Sequence, residues 1–522
     1  NLLTEFTLNY NTNFNKHNVD VIGGYSFQTE SFSRTNTNAN DFENDLLRNI
    51  SGGSTWTVDN DESTWAQVSY FGRMQYDFSN KYLASASIRT DGSSRFGDDT
   101  KWGVFPSASV GWLLSEEDFF PEDSFINNTK LRASWGQVGN NQIGNYDSQG
   151  IINVDEYTVD GQLVVGNSTG SSPNAGLSWE TSTSTNFGLD LGFFNNKIAI
   201  STEYYNTETE GVLLNVPVPQ QSGFNSSLQN IGAFKNSGFE IDLRGNGFNL
   251  GEVSIGFNAN FSTNKNEVLE LGPDQEEIIE SGGPSFFRTK IGGPIAELYV
   301  YKSLGVYKTQ AEIDSSPSLD GTVTGDYWIA DTNNDGEITD DDRVGVGTYN
   351  PDFTYAFGAN LQYRNFDFNF LFDGVEGRSV SSYTFAAIGS GEAFKTASQY
   401  YFDNRYHPEN NPDGFMSQPN TNRSQARRAI GDRIDTMIQD GDYLRLRTLQ
   451  LGYNFSPKDL KSIGLSNLRL YLTGNNLFTL TNFVGVNSEG GSTGSSSVLR
   501  QGYVRGTGPV QTSIIAGLNI TF

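Results

Sequence analysis

Val253-Ser254-Ile255-Gly256-Phe257-Asn258-Ala259-Asn260-Phe261-Ser262 alternates apolar and polar from end to end. Successive side chains of a β-strand point to opposite faces. This segment therefore presents one aliphatic and aromatic face, and one face of Ser, Gly and Asn. An amphipathic helix would place its apolar residues three and four apart, which this stretch does not do. The same period recurs where Phe187, Leu189, Leu191 and Phe193 alternate with Gly188, Asp190 and Gly192. It recurs again where Phe353, Tyr355, Phe357, Ala359, Leu361 and Tyr363 alternate with Thr354, Ala356, Gly358, Asn360 and Gln362.

Working outward from these runs, the pattern predicts strands at 3–14, 18–30, 64–78, 82–92, 103–115, 129–138, 181–193, 196–209, 234–246, 251–264, 353–363, 366–377, 442–455, 467–480 and 511–522. Each is near the ~10 residues that a tilted membrane-spanning strand requires. The connections alternate between short and long. Lys16-His17, Ser79-Asn80-Lys81, Asn195 and Arg364-Asn365 sit in tight turns, whereas 31–63, 139–180, 210–233, 265–352, 378–441 and 481–510 are long excursions. The connections 116–128 and 456–466 are long for the short side, and 93–102 is short for the long side. Outer-membrane barrels have this asymmetry, with short periplasmic turns and long external loops. Soluble sandwiches and propellers also alternate, but with shorter strands and without gathering the long loops at one end. The expected fold is all-β: a transmembrane antiparallel β-barrel.

Composition narrows the function. With 34 Lys and Arg against 61 Asp and Glu, the formal charge is −27. That disfavours nucleic acid and anionic lipid headgroups as partners, since both need a cationic surface. There is no cysteine, and His17 and His407 are the only histidines. A thiolate or histidine-rich metal centre and a Ser-His-Asp site are accordingly not expected. No apolar run approaches the ~18 residues of a membrane helix, which leaves a strand-built membrane protein open.

At the C-terminus Ile514, Ala516, Leu518, Ile520 and Phe522 share one face, and Phe522 is the last residue. An unpaired apolar edge of this kind would be an aggregation hazard in water. A closing strand that ends in an aromatic resembles the signal read by the barrel assembly machinery, carried here by Phe522, Ile520 and Leu518. A single-chain bacterial barrel normally has an even strand count with both ends in the periplasm. Fifteen strands ending at Phe522 therefore imply further wall strands N-terminal to Asn1, or a strand count that is off by one.

The residues resemble the SusC/RagA-type TonB-dependent transporters of Bacteroidetes outer membranes. The resemblance is carried by Tyr82-Leu83-Ala84-Ser85-Ala86-Ser87-Ile88-Arg89-Thr90-Asp91-Gly92-Ser93-Ser94-Arg95-Phe96, Phe105-Pro106-Ser107-Ala108-Ser109 and Leu131-Arg132-Ala133-Ser134-Trp135-Gly136. It continues in Trp179-Glu180-Thr181, Asn236-Ser237-Gly238-Phe239-Glu240, Tyr443-Leu444-Arg445-Leu446-Arg447 and Gly474-Asn475-Asn476-Leu477-Phe478. Their order and spacing together are specific. The resemblance implies that residues 1–522 are the C-terminal portion of a 22-stranded barrel whose plug domain lies outside this chain. It implies active import of a nutrient oligosaccharide, powered by the TonB–ExbB–ExbD complex through the plug side. It also implies a SusD-like surface lipoprotein as lid, and dimers of transporter–lipoprotein pairs in the outer membrane. Import of peptides or of metal chelates (siderophore or cobalamin type), and a non-transporting structural or adhesive barrel, remain alternatives. An enzyme is not expected, because no titratable residues cluster on one wall.

One segment has the chemistry of a metal site. Asp331-Thr332-Asn333-Asn334-Asp335-Gly336-Glu337-Ile338-Thr339-Asp340-Asp341-Asp342 spans 331–342 of the long external loop 265–352 and reads as a Ca2+ loop. Calcium takes six to eight oxygens in flexible geometry. Asp331, Asn333 and Asp335 would converge with the Glu337 carbonyl, Gly336 would allow the sharp turn, and Asp342 would close the site. Ile338 would anchor the loop by packing. An acidic surface turn is the alternative. In the outer loops, Trp56, Trp65, Trp179 and Trp328 are candidate sugar platforms, against the usual girdle role of barrel aromatics. Arg423, Arg427, Arg428 and Arg433 make a basic stretch in the loop 378–441, suited to an anionic substrate, the lid, or loop ion pairs. The pairs Glu116-Glu117 and Asp341-Asp342 lack the spacing of a glycosidase.

Overall fold

The computed structural model describes all residues except 122–123, 225, 273–274, 283–284, 390–396, 420–432, 457–459, 462–463, 490–497 and 506. Its principal sheet runs in chain order through β1 (Leu2–Phe14), β2 (His17–Phe42), β3 (Gly53–Phe78), β4 (Tyr82–Ser93), β5 (Trp102–Leu113), β6 (Ile126–Asn140), β7 (Glu180–Phe193), β8 (Ile198–Glu210), β9 (Ala233–Leu250), β10 (Val253–Thr263), β11 (Phe353–Tyr363), β12 (Phe366–Glu376), β13 (Tyr443–Asn454), β14 (Asn467–Leu480) and β15 (Ser513–Thr521). Each of the fifteen expected strands has its counterpart. A further strand, Lys265–Glu270, pairs with β9. Pairing is antiparallel from β1 to β6 and from β9 to β15. Two compact units divide the chain: Asn1–Phe120 with Lys130–Phe187 and Asn206–Phe234, and Pro121–Thr129 with Gly188–Tyr205 and Lys235–Phe522. The tight turns use left-handed residues, as at Ser79 and Asn80 (φ 57° and 56°) and at Asn195 and Asn196 (φ 58° and 59°). Asn tolerates this region better than other non-glycine residues.

Register sorts the side chains of the first unit. Met74, Ala86, Ala108 and Trp135 align across β3 to β6, as do Tyr76, Ala84, Val110 and Ala133. These apolar positions form the exposed face, where Ile88, Val104, Val110 and Leu131 all stand free. The opposite face is polar and half-buried, with Ser85 opposite Ser109 and Ser87 opposite Ser107. A water-soluble sheet has the reverse arrangement, so the exposed face fits a lipid environment.

Aromatic rows bound this face at both ends. Phe78, Tyr82 and Trp112 stack at 6.3 and 6.4 Å between ring centres. At the other end Tyr25 lies 5.3 Å from Tyr70, which lies 6.3 Å from Trp102. Trp102 and Trp112 begin and nearly end β5. Ten steps of about 3.4 Å, tilted by ~45°, put about 24 Å between the rows, close to the ~25 Å apolar band of outer-membrane barrels.

In the second unit an apolar face runs through Leu361, Phe368, Leu451, Leu472 and Ala516 in register. Leu518 pairs with Leu470 and Ile520 with Leu468, so the terminal strand's apolar residues lie on this face. On the other face Asp367 takes two bonds from Arg469, at 3.1 and 2.5 Å, and one from Asn454 at 2.9 Å.

The long excursions are more ordered than expected. Residues 31–63 are mostly a continuation of β2 and β3 as a two-stranded ribbon, with Ser31 opposite Thr64 and Asn40 opposite Thr55. Polar pairs such as Thr35 to Asn60, at 2.9 Å, line it. Thr, Asn and Ser dominate this ribbon, and its few apolar residues, among them Phe32, Ala39, Trp56 and Val58, do not make the continuous alternation that marks the wall. Hairpins also form within 139–180 and 210–233, at Ile152–Val159 with Gln162–Thr169 and at Leu213–Pro217 with Ser226–Asn230.

An arginine at mid-height on the apolar face should destabilise the wall strongly. Ile88→Arg is expected to cost ~2–4 kcal/mol, and Val104→Arg, next to an aromatic row, less than half of that. Ser87→Thr should change stability by less than ~0.5 kcal/mol. Denaturant titration of the full-length protein in lipid vesicles, followed by tryptophan fluorescence, measures all three.

Candidate functional site

The polar face of the first unit is a wall of small hydroxyl and amide groups. Ser85 and Ser109 bond at 2.7 Å, as do Ser87 and Ser107. With Ser134 and Asn186 these residues line a cavity of about 570 Å³. Its charges are already neutralised: Arg89 donates to both Asp91 oxygens at 2.8 and 2.9 Å and to Ser69 at 2.8 Å. The paired serines offer neutral hydrogen bonding, and exposed Arg73, opposite Ser87, adds a positive charge on the same face.

The upper part of the second unit carries a denser arrangement. In Tyr443-Leu444-Arg445-Leu446-Arg447-Thr448-Leu449-Gln450-Leu451, apolar residues sit at 444 and 446 and then at 449 and 451. The phase slips by one at Arg447, and the structure has a bulge there: Leu371 pairs with Thr448 but Phe372 with Leu446. A bulge re-aims the extra residue. Arg447 grips Asp373 with two bonds, at 3.0 and 2.6 Å. Arg445 is buried and donates to Thr479 at 2.8 Å and to Glu489 at 2.5 Å. Tyr443 donates to Glu489 at 2.7 Å, and Arg447 reaches it at 3.3 Å. Tyr349 donates to the Glu489 carbonyl at 3.1 Å. Burial pushes the Glu489 carboxyl upward, but the Arg445 and Tyr443 hydrogen bonds and the charges of Arg445 and Arg447 outweigh this and leave it below its ordinary value. The excursion 481–510 is thereby pinned to β12 and β13. Strand alternation alone did not single out Arg445, Arg447, Asp373 or Glu489; the slip at Arg447 was the available signal.

Three excursions of the second unit share one core. Tyr301, Ile329 and Ile338 from 265–352 pack with Phe385, Tyr401, Met416, Ile434 and Met437 from 378–441. Val380, Phe483 and Val504 join 481–510 to this assembly, and Ser379–Ser382 pairs in parallel with Tyr503–Val504. Ile338 is buried in the core, as its anchoring role required.

The 331–342 loop is built from side chains capping its own backbone. Asp331 accepts from Asp335 and Gly336 amides at 3.3 and 2.9 Å, Asn333 from the Asp335 amide at 3.0 Å, and Asp335 from the Glu337 amide at 2.9 Å. Asn334 and Gly336 adopt φ of 59° and 90°, which makes the tight turn. Asp331, Asn333, Asp335 and Glu337 thus lie on one turn, the last three exposed. Asp342 differs: it is fully buried, and its two oxygens accept the Thr332 and Thr339 amides, both at 2.7 Å. Among the described residues, no three His, Cys, Asp or Glu side chains form a metal-holding group.

The tryptophans divide. Trp179 is wedged between Phe96 and Phe105, at 5.2 and 5.4 Å, and donates to the Lys101 carbonyl at 2.9 Å. Trp328 stacks on Tyr307 at 5.2 Å, and Trp65 lies under Arg95 at 4.8 Å. Of the four only Trp56 is exposed, on the ribbon, where it donates to the Ile50 carbonyl at 3.0 Å. Arg433 stacks over Phe286 at 4.6 Å, while Arg423, Arg427 and Arg428 lie outside the described residues. Glu117 accepts from Tyr82 and Trp112 at 2.5 and 2.9 Å, a structural use. His17 meets the Tyr76 hydroxyl at 2.8 Å, and His407 accepts the Glu409 and Asn410 amides at 3.2 and 3.1 Å.

The family model described as "TonB dependent receptor-like, beta-barrel" matches residues 1–477. "TonB-dependent receptor P3" of Formosa agariphila is 33% identical over 537 residues, covering 100% of this chain and 52% of its own length. "TonB-dependent receptor SusC" of Bacteroides thetaiotaomicron is 28% identical over 445 residues, 81% of this chain and 41% of its own. The solved structure of the RagAB peptide transporter superposes with a TM-score of 0.84 at 22% identity, over 100% of this chain and 55% of that one, a likeness of fold. The chain spans about half the length of the curated relatives it matches.

Replacing Glu489 by Gln leaves buried Arg445 without its counter-charge, a loss of ~3–5 kcal/mol for a buried pair. Loop 481–510 should become sensitive to protease while the wall stays folded. A carboxyl held below its unfolded value of ~4.3 stabilises fully above that value and loses its contribution as pH falls through the folded one. Wild-type protection should therefore persist at pH 5–8 and fade only below about pH 4. Limited proteolysis across pH, read by mass spectrometry, checks both.

Proposed function

Because the chain belongs to the TonB-dependent receptor family and is an outer-membrane β-barrel of SusC/RagA type, we propose that the whole protein imports a nutrient oligosaccharide, powered through TonB and paired with a SusD-like surface lipoprotein. The observation that supports a neutral, polyhydroxylated cargo is the serine and amide wall around Ser85, Ser87, Ser107 and Ser109, where Arg89 is paired with Asp91. Passage requires contacts weak enough to release the cargo. A hydrated hydroxyl wall provides them, whereas a peptide or ferric chelate would call for unpaired charge. Trp179 and Trp328 hold loops in this reading rather than sugars. Leu518, Ile520 and the exposed terminal Phe522 would serve recognition by the assembly machinery.

Uptake by cells with and without the gene separates the cargo classes. Loss of growth on a defined set of oligosaccharides, with peptide and iron-chelate uptake intact, is the expected result. Loss of peptide uptake instead would move the assignment to peptides. No change in any uptake would leave a structural barrel.

Calcium at the 331–342 turn is a separate proposal. An ion there would rest on Asp331, Asn333, Asp335 and the Glu337 carbonyl, with water completing the shell. Asp342 closes the loop and accepts its own amides at Thr332 and Thr339. Calcium should raise the melting temperature of the wild-type full-length protein by a few degrees and leave Asp331→Asn/Asp335→Asn unmoved. An equal response in both, or none in the wild type, removes the ion.

A further inference from the structure

We propose that the hairpin Ile152–Val159/Gln162–Thr169 is a docking element for the surface lipoprotein, taking an apolar patch rimmed by lysine and arginine. This inference rests on the pairing proposed above. The hairpin is a sheet of its own, closed by Asp160 and Gly161 at φ 50° and 77°. Every residue of both strands is exposed except Gly166, which is half-buried. Its register places Ile152, Val154, Leu163 and Val165 on one face together with Glu156. Those four aliphatic side chains are 68, 70, 68 and 66% exposed. An isolated two-stranded hairpin is marginal in water, and nothing among the described residues covers this face.

The base, by contrast, is fixed. The Gly170 amide donates to the Ile151 carbonyl at 2.7 Å, Ser148 donates to the Arg95 carbonyl at 2.8 Å, and Asn174 donates to the Leu228 carbonyl at 2.8 Å. A firm base holding an uncovered apolar face is the arrangement of a presented epitope.

Charge selects the occupant. No lysine or arginine occurs between Arg132 and Lys197, while Asp147, Asp155, Glu156, Asp160 and Glu180 all fall there. A second copy docking face to face would bring two acidic hairpins together, since a two-fold interface uses the same patch twice. Anionic lipid headgroups would be repelled in the same way. A protein surface that is apolar at its centre and cationic at its rim satisfies both features.

The area sets the size of the effect. Eight residues per strand at about 3.4 Å and two strands about 4.8 Å apart give one face of ~270 Å², a third of the ~800 Å² per partner of a standard interface. The hairpin is therefore one part of a larger contact. The test uses full-length protein purified in detergent, with the surface lipoprotein that accompanies the wild type as the probe. Val154→Ser/Leu163→Ser/Val165→Ser should weaken lipoprotein binding about tenfold. Glu156→Lys, on the docking face, should do so to a similar extent and reverse the weakening of binding by salt. Gln162→Ser, on the other face, should bind as wild type. Unboiled electrophoretic mobility verifies that each variant retains its folded barrel. If the lipoprotein binds all variants within twofold of wild type, the docking assignment is overturned and the pairing stands. If wild-type protein carries no lipoprotein, the pairing itself fails and the docking assignment with it. A change in the self-association of the transporter without change in lipoprotein binding assigns the face to a second copy and overturns the proposal.

Discussion

Backbone amides and carbonyls in hydrocarbon have no water to bond, so a strand in a membrane must find all its partners in neighbouring strands. Most else in this chain follows from that constraint. Continuous ladders from β1 to β6 and from β9 to β15 fix register, and register in turn fixes which side chains meet lipid. A one-residue slip would turn Val110, Ile88 and Ala86 inward and the serines outward. The aromatic rows at Tyr82–Trp112 and Tyr70–Trp102 reinforce the same register from the two membrane boundaries.

Where the ladder is interrupted, the interruption is used. The bulge at Arg447 places two arginines and Asp373 near one point just where β13 leaves the regular wall. Facing it on β14, Asn476 adopts a left-handed φ of 51° opposite the same irregularity, within the Gly474-Asn475-Asn476 motif. Both segments belong to the runs by which the chain resembles its family. Their residue types are explained here by backbone geometry and by the anchoring of Glu489, with no ligand required.

Legibility differed sharply between wall and loops. The wall was readable because the bilayer imposes a period-two code on each strand separately, so local sequence suffices. The same code was silent on the ribbon beyond Glu30, where Thr, Asn and Ser dominate and the few apolar residues do not alternate continuously. The 331–342 loop was readable in part. Its Asp, Asn and Gly spacing implied the turn, and Ile338 its anchor, but not that buried Asp342 would spend both oxygens on amides. Trp179 and Trp328 looked like platforms because exposure is a tertiary property that residue type does not carry.

The loop core shows why the remainder could not be read. Tyr301, Ile338, Phe385, Met416 and Ile434 come from excursions separated by two wall strands, and their core draws on both. Such contacts pair residues far apart in sequence, and the entropy of closing those loops is offset only when several excursions fold together. The wall supplies the condition, since β10 to β15 hold the three loop bases side by side. The loop assembly is in this sense a fold of its own whose topology is set by a membrane sheet. Its stability depends on wall register as much as on its own core, and the Arg445–Glu489 pair is one place where the two are joined.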